Sequence, residues 1–254
     1  MVAGVVGTAT SALGRFYATC LDTFRLLFAR PVQWREMVTQ AWFIVGVTVL
    51  PTLLMAIPFC VVVIFQLNLL LSELGANDIV GAATGLAVIK ELGPMVSALV
   101  VAGAGATAIC ADLGARKYGE EIEAMRTLGL NPIQRLVVPR VIASGLVALC
   151  MNSVVCVTGL LGGLAFSVFV QGTGFGLFLA NLSLLTDAVD VLIGEIKALV
   201  FGVLAALVAC HLGLNAKGGP KGVGDAVNQT VVFGFIALFV ANVFITLIVM
   251  RIRG

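Results

Sequence analysis

Uncharged stretches long enough to cross a bilayer dominate this chain, and they leave few folds open to it. Met37–Ser72, Leu92–Ala111 and Val141–Thr186 contain no Asp, Glu, Lys or Arg. Each reaches or exceeds the roughly 20 residues that a transmembrane helix takes. Charged residues are 11% of the 254 and apolar residues 60%, with mean hydropathy +1.13; a soluble domain carries about a quarter charged residues. Aromatics are few and the apolar runs do not alternate, which argues against a β-barrel. The expected fold is all-α: a polytopic membrane protein with about five transmembrane helices, with N-terminal interfacial helices over residues 1–36 and a transmembrane domain over 37–254.

Taken in order, Arg15 interrupts the apolar N-terminus before a full span is reached, and no basic segment leads into a hydrophobic core, so no cleaved signal is expected. Arg15, Arg25, Arg30 and Arg35, interleaved with Phe24, Leu26, Leu27, Phe28 and Trp34, suit helices lying in the membrane interface. Five spans follow: Ala41–Gln66, Ile79–Ala111, Val141–Val170, Val191–Leu214 and Ala226–Met250. Pro51 and Pro58 predict a kink or break in the first. Lys90-Glu91-Leu92-Gly93-Pro94 interrupts the second, and Asn215–Asp225 reads as a Gly/Lys loop before the fifth. With the N-terminus inside, the linkers 67–78 and 171–190 carry no Lys or Arg, while five basic residues (Arg116, Lys117, Arg126, Arg135, Arg140) lie inside between spans two and three. Lys217 and Lys221 are inside too, and only Arg251 and Arg253 fall outside. The basic-inside bias therefore favours a cytoplasmic N-terminus in the cell membrane.

The one strongly charged segment, Glu120–Arg140, lies on the cytoplasmic side in that arrangement. Ile122, Met125 and Leu128 fall on one side of a helix, with Glu120, Glu121, Glu123 and Arg126 elsewhere. Gly129 and then Asn131-Pro132 predict its end. The reading is an amphipathic helix of about three turns hung between membrane spans, suited to docking a soluble partner.

Other chemistry is sparse. One histidine, His211, leaves no basis for a His-built metal site or catalytic triad. Six scattered cysteines without CxxC spacing read as small core residues. Lys217–Gly224 is Gly-rich and basic but lacks GxxxxGK[ST], so ATP hydrolysis would fall to another chain. Gly81/Gly85, Ala102/Ala106 and Gly159/Gly163 are spaced for close helix packing. Lys90 and Glu91, before a helix break expected at Gly93-Pro94, and Glu195 and Lys197 in the fourth span are ionisable groups that are costly in a membrane unless paired or facing a cavity. They would neutralise one another across helices and border a substrate path, Lys90 with Glu195 being one pair; snorkelling at the outer interface is the alternative.

Three runs then carry a family resemblance: Glu91-Leu-Gly-Pro94 followed by Val101–Arg116; Glu120–Met125 with Gly129-Leu-Asn-Pro132 and Val138-Pro-Arg140; and Gly218–Gly224. Together they closely resemble the MlaE/YrbE permease family, and Gln33–Glu36, Leu67-Asn68 and Ala102–Gly105 are similar to the A-type YrbE subunits of actinobacterial Mce systems. Many relatives have Arg where Ala104 stands. The resemblance implies the permease of a lipid-moving ABC transporter: a B-type permease partner, two cytoplasmic ATPases that hold the ATP and magnesium, and Mce proteins outside as a lipid conduit working in import. No cofactor on this chain and no nucleic-acid partner is expected. In that family the segment matching Glu120–Arg135 is the coupling helix that enters a groove on the ATPase, which implicates Glu120, Glu121, Glu123, Ala124, Arg126, Gly129, Asn131, Pro132 and Arg135. A gradient-driven transporter using Glu91 and Glu195, or a non-transporting assembly anchor, would fit the residues without that resemblance.

Overall fold

The computed structural model describes residues 2–27, 33–75, 79–169, 172, 174–182 and 184–253. Phe28, Arg30 and Val170, used in the sequence reading, lie outside these, as do parts of the linkers 67–78 and 171–190. The described chain is helical, and five segments are long and apolar enough to cross a membrane: Trp34–Glu73, Val80–Tyr118, Ile133–Phe169, Ala188–Leu214 and Gly219–Ile252. It is an all-α, multi-pass membrane protein.

Helix α1 (Val2–Leu27) precedes the spans. It is fastened at the end of the bundle that carries Glu121–Thr127, where the Phe16 ring meets His211 edge-on at 5.4 Å and Thr19 Oγ1 lies 3.1 Å from His211 Nδ1. The first span is a single helix, α2 (Trp34–Glu73), with Pro51 and Pro58 inside it, so of the predicted kink or break the break does not occur. Each proline removes one backbone donor. The carbonyls left without their ladder donor are those of Val47 and Leu54; the nearby threonine hydroxyls fold back onto other carbonyls of the same helix, Thr48 Oγ1 donating to Ile44 (2.8 Å) and Thr52 Oγ1 to Thr48 (2.7 Å). A helix in apolar surroundings has no water to take over broken backbone bonds, so it keeps its ladder around a proline. At 40 residues α2 is about 60 Å long, twice the hydrocarbon thickness.

The second span comprises α3 (Val80–Ala87), α4 (Gly93–Val100) and α5 (Ala106–Tyr118), joined by π-helical turns at Val88–Leu92 and Val101–Gly105. Here too the expected break at Gly93-Pro94 is absent. The π turn widens the helix so that Gly93 N–H reaches back five residues to Val88, and Pro94 enters at the start of α4, where a missing donor costs little. The short helix α6 (Glu121–Thr127) follows, then a π turn at Ile133–Val137 leading into α7 (Val138–Phe169). Between spans three and four lies α8 (Phe175–Leu182), and then come α9 (Ala188–Leu214) and α10 (Gly219–Arg253). The last helix starts earlier than expected: the loop shrinks to residues 215–218, because Gly218 (φ +88°) and Gly219 (φ +72°) make the turn and Pro220 suits a first helical turn.

Glycines set the packing. Helices α2 and α7 run parallel in a constant register, Thr52 beside Met151, Cys60 beside Gly159 and Ile64 beside Gly163. Gly81 and Gly85 instead receive α8: a Cβ at Gly81 would lie 2.5 Å from the Phe178 carbonyl. Helix α9 is central, with Gly194, Gly202 and Gly213 pressed against Ile89, Ser144 and Cys110 backbone oxygens at 2.7–2.9 Å from any added Cβ. Ser144 Oγ donates to the Gly202 carbonyl across that contact (2.9 Å). Gly202→Val is therefore expected to force α7 and α9 apart at a cost of about 3 kcal/mol, seen as a lowered thermal midpoint in detergent, while Gly46→Val, where an added Cβ meets nothing within 4 Å, stays near wild type.

Candidate functional site

Polar chemistry gathers at two places. The first is the end of the bundle holding α6. This helix has seven residues, two turns rather than three. It is shorter because both its ends are fixed by backbone geometry. Glu120 precedes it at φ +58°, the one left-handed non-glycine among the described residues, a conformation that costs an L-residue roughly 1–2 kcal/mol and persists where the surroundings dictate it. Gly129 closes it at φ +74°, with Leu130 N–H on the Met125 carbonyl (2.9 Å) and Gly129 N–H on the Arg126 carbonyl (3.0 Å), a Schellman closure. Asn131 and Pro132 do more than stop α6. Asn131 Oδ1 accepts the Ile133 N–H (3.0 Å) and its carbonyl accepts the Arg135 N–H, so the same residues start the third span.

Helix α6 hangs from the second span by charge and one anchor. Ile122 is buried in the main core. Lys117 of α5 contacts the Glu123 carboxylate directly, and Arg116 reaches Glu121 at 3.6 Å. Arg116 also holds Asp112 (3.3 Å), and Asp112 contacts the guanidinium of Arg140, which is 0% exposed and donates to the Leu136 carbonyl at 2.8 Å. A chain of charge thus runs from α6 through the C-terminal end of the second span to the start of the third. Asp112 and Arg140 were not singled out from the sequence, although a lone acid and a lone base at the ends of two apolar runs was the available signal. Leu128 corrects the predicted helix face: it is 75% exposed, while Ile122 and Met125 turn inward. Glu120, Glu121, Ala124, Arg126, Gly129, Asn131 and Arg135 are exposed and Pro132 is buried. A cleft of about 560 Å³ between α6 and the α9–α10 turn adjoins Lys117, Tyr118, Glu120, Glu123 and Lys217.

The hydrogen bond from Lys117 holds the Glu123 carboxyl below its ordinary value of 4.5. A depressed folded value means the link contributes fully above pH 4.5 and is lost as pH falls through the lowered value. Amide exchange in 121–127 is expected to be constant from pH 7 down to about 4.5, after correction for the intrinsic rate, and to accelerate only below.

The second place is deeper, where the π turn Val88–Leu92 meets α9. Pro94 cannot donate to the Lys90 carbonyl, and Lys197 Nζ takes that acceptor at 3.3 Å. Lys197 is 3% exposed and also donates to Glu91 Oε1 and Thr246 Oγ1, both at 3.0 Å, tying α9, the second span and α10 together. Lys90 pairs not with Glu195 but with Asp190 (3.3 Å). Asp190 is buried in the first turn of α9 and accepts the Asp187 N–H through its other oxygen (3.2 Å). The sequence signal for it was the Asp187-x-x-Asp190 capping box. Glu195 instead accepts from Ser153 Oγ (2.9 Å). Gly93 is needed by proximity: a Cβ there would lie 2.5 Å from Cys156 Sγ and 2.8 Å from Asn152 Oδ1. So Lys90, Glu91, Gly93, Pro94 and Lys197 are brought together with Asp190 and Thr246, and Glu195 stands apart.

The profile of the family described as Permease MlaE matches residues 37–248, spanning both places and all five membrane helices. The chain belongs to the MlaE permease family. It is similar to a probable ABC transporter permease protein of Synechocystis, 34% identical over 180 residues, 71% of this chain and 68% of the relative. A probable ABC transporter permease protein of Rickettsia typhi is 28% identical over 224 residues, covering 88% and 86%. The Arabidopsis thaliana chloroplast protein TRIGALACTOSYLDIACYLGLYCEROL 1 is 33% identical over 172 residues, 67% of this chain but 49% of the plant protein. In this MlaE-family permease, α1 alone among the helices lies wholly before the matched segment.

Proposed function

We propose that the chain is the membrane permease of an ABC transporter that moves lipids, driven by ATPase subunits on separate chains. The carrying observation is α6: a two-turn helix that with its flanking residues displays Glu120, Ala124, Arg126 and Leu128 to solvent, fastened by ion pairs to the second span, in a chain without a phosphate-binding loop. An exposed leucine among charges is the composition of a small docking surface. Movement of a partner bound there would pass through Arg116, Asp112 and Arg140 to the second and third spans together. The basic-inside bias supports a cytoplasmic position for this face, in a chain that spans the cell membrane. The lipid path borders Lys90, Glu91, Gly93, Pro94, Lys197 and Glu195, since ionisable groups at that depth mark a substrate route. The relative named for trigalactosyldiacylglycerol, a galactolipid, supports a lipid cargo. The second permease is a B-type YrbE chain, and Mce proteins extend the route outside in an import system; the likeness of Gln33–Glu36, Leu67-Asn68 and Ala102–Gly105 to A-type YrbE subunits supports this.

Glu123→Arg tests the coupling role. It reverses the charge facing Lys117. ATPase subunits should no longer co-purify and lipid transport should fall to background, with the permease still folded in the membrane. Unchanged transport in that variant would contradict the docking assignment.

A further inference from the structure

Two residues along a helix turn a side chain by about 200°, so Glu195 faces away from the Lys197 cluster. It lines a separate cavity of about 210 Å³ between α7, α9 and the Val88–Leu92 π turn. The walls are apolar, Ile89, Val157 and Leu160 among them, and Val157 and Val191 at its edge are exposed on the membrane-facing side. Its polar end holds Asn152, Ser153 and Cys156 beside Glu195, and of these Ser153 is the one that donates to the carboxylate among the described residues, Cys156 facing Asn152 Oδ1 instead. Glu195 Oε2 is sealed from solvent and has no hydrogen-bond partner. Oε1 accepts from Ser153 Oγ at 2.9 Å, but the single proton of that hydroxyl also faces the Leu149 carbonyl at 3.2 Å. The neighbouring cations are committed elsewhere, Lys90 to Asp190 and Lys197 to Glu91, and no cation pairs with Glu195 among the described residues. Buried acceptors left without donors are rare in folded proteins.

We propose that this cavity binds the head of an uncharged, hydroxyl-bearing lipid, whose O–H donates to the Glu195 carboxylate once its soft terminal torsion turns Oε2 toward the cavity, while its first carbons lie against Ile89, Val157 and Leu160. The volume is below the roughly 300–1,000 Å³ of a site that encloses a whole drug-sized ligand, so the rest of the chain remains in the membrane. A carboxyl group lacking a nearby cation disfavours phosphate-headed lipids here, whereas the Lys90–Lys197 cluster can meet an anionic head. The inference rests on the lipid-transport reading.

The test uses the full chain in lipid nanodiscs, with two photoreactive probes of equal chain length, a diazirine alkanol and a diazirine alkyl phosphate, and mass spectrometry of the labelled residues. The alkanol is expected to label Val157, Leu160 or Val191 in preference to the phosphate. Glu195→Leu should lower that labelling about tenfold, the value of one hydrogen bond to a carboxylate, and Glu195→Lys should transfer the preference to the phosphate. The wild-type comparison of the two probes needs no variant and stands if the substitutions do not fold. Equal labelling by both probes, or alkanol labelling unchanged in Glu195→Leu, overturns the proposal. Labelling confined to the Lys90–Lys197 cluster overturns it but leaves the lipid-transport reading intact. Labelling nowhere in the spans overturns both.

Discussion

Asp112→Ala is expected to be among the most damaging single substitutions in the chain. It leaves the guanidinium of Arg140, 0% exposed, facing only the Leu136 carbonyl, and an uncompensated buried charge costs about 3–5 kcal/mol. Arg116, which Asp112 also holds, loses one of its two carboxylate partners at the same time and keeps Glu121. The expected result is a large drop in the thermal midpoint of the detergent-solubilised protein and loss of the link between α6 and the third span. The apolar pair Asp112→Leu with Arg140→Met should recover most of the stability, because well-packed hydrophobic residues can replace a buried ion pair at little cost. It should not recover transport, since the charge chain to Glu121 is then cut at Asp112. A double variant that restores stability and transport together would show that the pair is packing and nothing more.

Glu91→Ala should come second. It removes the carboxylate from Lys197, which is buried with only the Lys90 carbonyl and Thr246 hydroxyl left as acceptors. The expected cost is about 3 kcal/mol, together with loss of lipid transport. Lys197→Met alone is milder, because Glu91 is partly exposed and water can reach its carboxylate. The double change Glu91→Ala/Lys197→Met should be better tolerated than Glu91→Ala alone, giving a coupling energy of about 1–3 kcal/mol in the thermodynamic cycle. Additive effects would mean that the 3.0 Å contact does not hold the three helices together.

Much of this was legible in the sequence, because the membrane simplifies the problem. Long apolar runs marked five spans, and Gly129 marked the end of α6, since one physical rule governs each. The misreadings share a cause. Pro51 and Pro58 were taken as a kink or break and Gly93-Pro94 as a break, as in water, where freed carbonyls are solvated. In an apolar surrounding the chain stays helical instead, continuous through both prolines in one span and, in the other, with a π turn plus Lys197. Leu128 was placed inside by periodicity, but Gly129 ends the helix before that face is completed. Tertiary partners were the least readable part. The sequence has four ionisable residues, Lys90, Glu91, Glu195 and Lys197, close in two spans, and several pairings satisfy charge. The rotation of α9 selects Glu91 for Lys197 and brings Asp190, a capping residue, to Lys90. Arg140 looked like one more cytoplasmic base, and only the packing of the third span against the second shows it buried.

The central claim is that this permease works with an ATPase carried on other chains. The direct measurement is purification of the chain from its native membrane in mild detergent, with mass spectrometry of the proteins and lipids that accompany it. Co-purification of an ATPase, a second permease and Mce proteins, with bound lipid, and loss of the ATPase in Glu123→Arg, is the predicted result. A chain that emerges alone, transports lipid in vesicles without ATP, and is indifferent to Glu123→Arg would contradict the account.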